Sequence, residues 1–227
     1  MRSLAGIIAL VVLAIGIAFI SSKAHPGGDL PPEEVQAEKD QAQLDAVKKK
    51  EDDRKAHVAG GASGFDAVKA GAIQATIVFE GKGPMTMELY PAAAPKTVEH
   101  ISDLLKKHFY DGIKVHRFEG GEHGLKLIQF GDPDSAKADP SEFAVRNIGT
   151  HGSGSTVPLE VKLSHVKYSV GLARSQDEAS GDAQMYINTD DNTNLDGNYC
   201  IFGRIIAGQD VLPSIKLGDK IQSFSLK

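Results

Sequence analysis

The groups that could do chemistry in this 227-residue chain are thinly spread. His116, His123, His151 and His165 stand apart, and no His-Glu-x-x-His pair seats two imidazoles on one helix face. Eight histidines leave a His and carboxylate metal site formally open, but no spacing points to one, and no metal is expected. Cys200 is the only cysteine, which excludes an intrachain disulfide framework and a multi-cysteine zinc site. No Gly-x-Ser-x-Gly elbow presents a nucleophile. Gly149, Gly152 and Gly154 make a glycine-rich turn, but their order is wrong for dinucleotide binding and no helix follows, so no cofactor is expected. Arg117 and Gln129 fall in separate strand-like runs; taken alone, Arg117 reads as an ordinary strand-surface arginine.

Short strands must position these side chains. At 41% hydrophobic and 24% charged, the chain can build a packed core. Residues 76–79 are β-branched and aromatic, Gly81-Lys82-Gly83 turns the chain, and Met85, Met87 and Leu89 then alternate with Thr86, Glu88 and Tyr90. That period of two predicts a half-buried strand and a hairpin. Pro95 suits the first position of a helix, and Val98, Ile101, Leu104 and Leu105 form one apolar stripe ending near His108. Further strands are predicted at 113–118, 125–129, 159–163, 169–173, 185–188, 199–205 and 221–226, with Asp196-Gly197 as a hairpin turn. Many short strands with one or two helices predict an antiparallel barrel or sandwich. A closed barrel leaves no edge to pair with a second chain, so a monomer is expected.

Ahead of residue 72 the chain is of another kind. Leu4 to Ile20 is an unbroken uncharged run led by Arg2. At about 1.5 Å per residue it spans about 25 Å, slightly short of a hydrocarbon core of about 30 Å and slightly long for a signal-peptide apolar region. Ser22-Lys23-Ala24 would serve as a cleavage site. Both readings mean export: a membrane anchor with the rest of the chain facing outward, or a periplasmic or secreted protein cut after Ala24. Residues 25–71 read as a charged spacer, helical or disordered. Val35, Leu44 and Val47 are too sparse for a coiled-coil seam, and Gly60-Gly61-Ala62-Ser63-Gly64 reads as a flexible joint. Three segments result: 1–24, 25–71 and 72–227. A net charge of −5 and a pI near 5.9 argue against nucleic-acid binding.

One stretch carries more. Phe109-Tyr110-Asp111-Gly112-Ile113-Lys114-Val115-His116-Arg117-Phe118, followed by Ile128-Gln129-Phe130-Gly131-Asp132-Pro133, resembles the signature of the cyclophilin-type peptidyl-prolyl isomerases. Leu89-Tyr90-Pro91 upstream fits in order, as do Gly171-Leu172-Ala173-Arg174-Ser175, Gln184-Met185-Tyr186-Ile187 and Asn194-Leu195-Asp196-Gly197 to Ile201-Phe202-Gly203-Arg204-Ile205 downstream. The style is that of the bacterial branch, and residues 73–222 are covered. The resemblance implies a mainly β fold, a closed eight-stranded antiparallel barrel capped by two helices, and isomerisation of X-Pro bonds in polypeptide substrates, here during folding of exported proteins.

That reaction fits a chain without nucleophile or metal. An X-Pro bond rotates over a barrier of about 18–20 kcal/mol because its C–N bond is partly double, and no covalent bond breaks. A fixed cation donating to the prolyl nitrogen helps only in the twisted state, where that nitrogen regains its lone pair. Arginine, always charged and rigidly forked, suits the task. The resemblance gives that catalytic role to Arg117 and makes Gln129 the holder of a substrate carbonyl. It gives Ala173 and Arg174 backbone contacts, Gln184 an amide contact, and places Leu127, Met185, Tyr186 and Leu195 at the wall of the proline pocket. Tyr199 stands where many relatives have His, and His116 buttresses the fold.

The chain departs from the family pattern at the pocket. Arg117 and Gln129 are further apart than usual, so Glu119 to Gly124 makes a longer loop at the rim. Lys126 replaces the usual Phe, and Asn194 stands in place of the tryptophan of the best-known members. These changes keep a second reading open, a weakly active or inactive cyclophilin-fold module that binds Pro-containing segments.

Overall fold

A computed structural model of the chain describes residues 32–56, 58, 61–121 and 124–227. The apolar run at 4–20, the cleavage site at 22–24, and Glu122 and His123 of the rim loop lie outside the described residues. The chain divides into two units, Met1–Asp53 and Arg54–Lys227.

The described part of the first unit belongs to helix α1 (Pro32–Ala56). Glu33 and Glu34 in its first turn and Arg54 and Lys55 in its last match the helix dipole. Gln36 and Gln41 donate to Asp40 and Asp45 one turn on, each at 2.8 Å. Leu44 and Val47 are exposed, so no apolar stripe runs along it. Among the described residues no helix is long and apolar enough to cross a membrane.

The second unit begins before Ala72. Helix α2 (Gly61–Ala67) occupies the stretch expected to be a flexible joint. Phe65 and Val68 are buried, and the Phe65 ring meets Tyr90 edge-on with centroids 5.6 Å apart. Two large apolar groups with a partner to cover outweigh the looseness of the neighbouring glycines.

Eight strands follow: β1 (Ile73–Phe79), β2 (Pro84–Leu89), β3 (Arg117–Gly120), β4 (Lys126–Phe130), β5 (Ser169–Leu172), β6 (Met185–Asn188), β7 (Cys200–Ala207) and β8 (Ile221–Leu226). They form one antiparallel sheet in the order β3-β4-β6-β5-β7-β2-β1-β8. Alternation sets its faces: Ala75, Ile77 and Phe79 of β1 and Met85, Met87 and Leu89 of β2 are buried in the main core with Phe130, Met185, Phe202 and Phe224. The segment 112–116 lies between the two edge regions. Gly112 N–H donates to the Ile221 carbonyl and Ile221 N–H to the Ile113 carbonyl, both at 2.8 Å, and His116 N–H donates to the Gln129 carbonyl at 3.1 Å.

Helix α3 (Pro95–Lys106) covers the core with Val98, Ile101, Leu104 and Leu105, each contributing about 1.5–3 kcal/mol by burial. Its N-terminus has Pro95 at the first position but no capping side chain on Ala94. Glu160 supplies the cap from a distant loop, accepting from Lys96 N–H at 3.1 Å and Thr97 N–H at 2.9 Å.

Two expectations need correction. A second long capping helix does not form among the described residues of this unit: beside α3 they carry only the short α2, and the chain between β4 and β5 makes 3₁₀ turns at Pro133–Lys137 and Pro140–Glu142. Each opens on a proline behind an aspartate, which favours a turn over a long helix. Nor is 159–163 a strand: Val157 makes an isolated bridge to Gly181, and Glu160 is diverted to cap α3.

Candidate functional site

Arg117 and Gln129 face each other across the β3–β4 ladder, and Gln129 faces Tyr186 across β4–β6. Directly opposed residues present their side chains to the same face, so three positions far apart in sequence meet on one surface. Arg117 Nη1 donates to Gln129 Oε1 at 3.3 Å, Gln129 Nε2 to Gln184 Oε1 at 2.9 Å, and Gln184 Nε2 to the His151 carbonyl at 2.8 Å. Gln129 is buried while the Arg117 side chain is 44% exposed. A guanidinium anchored on one edge can turn its remaining N–H groups to a ligand.

Beside this polar row lies an apolar patch. Leu127, two residues before Gln129 on the same face, clusters with Tyr186, Leu163 and Ile201, and Ala173, Leu195 and Tyr199 pack against them. The Tyr186 ring lies over Gly171, where any Cβ would run into it. The Tyr186 hydroxyl is 2.8 Å from His165 Nε2, and His165 Nδ1 is 2.7 Å from Asp196 Oδ1. Burial holds the Tyr186 hydroxyl well above its ordinary pKa. Burial pushes the Asp196 carboxyl up, but hydrogen bonds from His165 and Ser164 outweigh it and hold it below the usual range. Tyr199 meets Tyr186 edge-on at 6.4 Å and carries the Arg174 guanidinium over its face at 4.8 Å.

A cavity of about 420 Å³ is lined by Gln129, Gln184, His151, Ala173, Arg174 and Asp182 among others. Its far wall is the glycine-rich turn that fails as a nucleotide motif. Asp132 ties this turn down, accepting from Gly149 N–H at 2.6 Å and His151 N–H at 3.1 Å. Burial raises the Asp132 pKa, but N–H groups of Gly149, His151 and Asp134 more than offset it and hold the carboxyl below its usual range. Gly149 has φ +102° and leaves room for the His116 ring, while a Cβ on Gly152 would run into Asp182. Asp132, Asp134 and His151 could together offer three ligand atoms to a cation. Asp132 already serves these backbone donors, which makes it a staple for the loop.

The residues expected at the site therefore gather, with one exception. Arg117, Gln129, Gln184, Leu127, Ala173, Arg174, Tyr186, Leu195 and Tyr199 surround the row and its two hollows. Met185 does not: it points to the opposite face of β6 and is fully buried with Phe130 and Leu172 in the main core. The Ala173 N–H is spent on the Gln184 carbonyl at 2.8 Å. Both ring nitrogens of His116 are buried without a hydrogen-bond partner among the described residues, and burial lowers its pKa, which suits packing. The Cys200 thiol is pushed up to about 12 by burial and is inert at neutral pH. Sequence reasoning misses Asp132 and Asp182, whose partners only the fold brings near, and Glu119, whose partner Arg117 lies two residues away on the same strand face. Lys126 Nζ reaches Asp190 Oδ2 at 2.7 Å, so this cation is held at the rim.

The family model described as cyclophilin type peptidyl-prolyl cis-trans isomerase/CLD matches residues 75–224. A probable peptidyl-prolyl cis-trans isomerase of Brucella suis is 33% identical over 177 residues, covering 73% of this chain and 88% of that protein. A peptidyl-prolyl cis-trans isomerase of Streptomyces antibioticus is 32% identical, covering 59% and 78%. The fold matches a crystal structure of a Cryptosporidium parvum cyclophilin type isomerase determined in the presence of the dipeptide Ala-Pro, with a TM-score of 0.57 and 20% identity, over 68% of this chain and 98% of that one. The family match over residues 75–224, together with a relative 33% identical across 88% of its length, shows that the chain belongs to the cyclophilin-type peptidyl-prolyl cis-trans isomerases.

Proposed function

We propose that Arg117 is the catalytic group of this isomerase and that the proline ring of the substrate seats on Leu127, Tyr186 and Leu195. As the X-Pro bond twists, the prolyl nitrogen becomes pyramidal and basic, and the guanidinium donates to it. The interaction is absent in the planar ground state, so it lowers the barrier; each 1.4 kcal/mol or so is worth about tenfold in rate. Gln129, buried and braced by Gln184, holds a substrate carbonyl so that one side of the bond turns against a fixed other side. Ala173, Arg174 and Gln184 line the path of the extended peptide. The observation that carries this reading is the cross-strand pairing of Arg117 with Gln129 beside Tyr186. It is tested by following isomerisation of an Ala-Pro test peptide with Arg117→Ala and Gln129→Ala.

A second reading, a binding module with little turnover, draws on one observation: the Lys126–Asp190 ion pair puts charge where the family usually has an aromatic wall. The two part company in the same assay.

The remaining assignments are also proposals. The hydrogen bonds of 112–116 support closure of the sheet into a barrel, which in turn supports a monomer. The apolar run at 4–20 and the charged helix after it support an exported protein, anchored or cleaved after Ala24, whose substrates are Pro-containing exported polypeptides. Residues 72–227 then form the isomerase domain, with a spacer at 25–71 whose last residues pack onto it.

A further inference from the structure

We propose that Glu119 is a positioning residue for Arg117, holding the guanidinium fork at the angle from which its terminal N–H groups face the proline pocket. The inference rests on the reading of Arg117 above and adds to it Glu119, which the structure places in β3 rather than in the rim loop expected to begin there. Glu119 lies two residues beyond Arg117 on β3, so both side chains rise from the same face. Its Oε1 accepts from Arg117 Nε at 3.1 Å, while Arg117 Nη1 donates to Gln129 Oε1 at 3.3 Å.

Those two bonds grip adjacent nitrogens of one planar group. An arginine held at a single nitrogen still swings about its last torsions; held at two, its plane is set and the unused donors point one way. Glu119 faces Leu127 across the ladder, which puts this clamp at the mouth of the apolar hollow. The neighbouring cation does not compete for it, because Lys126 is taken by Asp190 at 2.7 Å. Both partners of the Arg117–Glu119 pair are 44% exposed, so the contact adds little to fold stability and acts on orientation.

Glutamine at 119 separates the two things a carboxylate does. Its side-chain carbonyl accepts the same Nε–H but carries no charge. The test compares the full-length protein with Glu119→Ala and Glu119→Gln, reading isomerisation of an Ala-Pro peptide and, by NMR, solvent exchange of the Arg117 Nε–H, assigned by its loss in Arg117→Lys. Glu119→Ala should lower kcat about fivefold with KM nearly unchanged and speed Nε–H exchange about tenfold. Glu119→Gln should restore both to within about twofold of the wild type. Wild-type turnover and exchange in Glu119→Ala would overturn the proposal, as would a Glu119→Gln enzyme as slow as Glu119→Ala. Should Arg117→Ala prove fully active, the catalytic reading falls instead, and the exchange measurement still decides whether Glu119 holds Arg117.

Discussion

The Tyr186 hydroxyl lies 2.8 Å from Nε2 of His165, a side chain with no exposure to solvent. The ring proposed to wall the proline pocket is thus fastened from behind, through His165, to Asp196. A ring fastened in this way is set in place ahead of any ligand that would pack on it.

Replacing Tyr186 by Phe should expose that fastening. The ring stays, but His165 Nε2 loses its partner in a buried site, at about 1–3 kcal/mol of stability. Urea denaturation should show that loss while peptide isomerisation is largely kept. Tyr186→Ala should lose both. A Tyr186→Phe protein as stable as the wild type would mean that the hydroxyl contact contributes nothing.

Acid should loosen the cavity wall through Asp132. Its folded pKa is depressed, so its stabilising contribution is complete above the unfolded carboxylate value of about 3.9 and is lost as pH falls through the lower folded value. Denaturation midpoints of the wild type should fall with pH below about 4 more steeply than those of Asp132→Asn, which is weaker at neutral pH and flatter in acid. Parallel curves for the two proteins would remove Asp132 from this role.

How much of this can be read from the sequence varies with distance along the chain. The core face of Met85, Met87 and Leu89 and the stripe on α3 are local and match the structure, but the strand is not half-buried throughout, because Glu88 and Tyr90 on its other face are buried too, with Tyr90 packed on Phe65 of α2. The face of Met185 is legible too, because neighbours on a strand point opposite ways, so Met185 and Tyr186 cannot both wall one pocket. Resemblance to a motif obscures that parity. The cap on α3 from Glu160 and the staple of the 149–151 turn by Asp132 join segments whose meeting depends on the whole sheet, and no local spacing announces them. The Asp-Pro steps at 132–133 and 139–140 are local signals of the 3₁₀ turns found there, whereas a second capping helix rests on resemblance alone.

The segment before the family match should matter for stability. Phe65 sits against Tyr90 and beneath the Arg204 guanidinium, 5.1 Å from its ring centroid, in the same cluster as Leu127 and Tyr186. Phe65→Ala should cost about 3–5 kcal/mol, and a chain shortened to begin at Ala72 should fold but melt earlier than one beginning at Arg54. Thermal unfolding of the three proteins checks this. Equal melting temperatures would show that residues 65–68 add nothing to the domain.

The catalytic role of Arg117 is decided by the rate at which Arg117→Ala isomerises an Ala-Pro test peptide while circular dichroism confirms its fold. Because Arg117 is half-exposed at the end of the buried row, its removal should leave melting nearly unchanged. kcat/KM should fall about a hundredfold or more, as expected when a charged donor to the transition state is removed. A folded Arg117→Ala protein that turns over at close to the wild-type rate would remove Arg117 from catalysis.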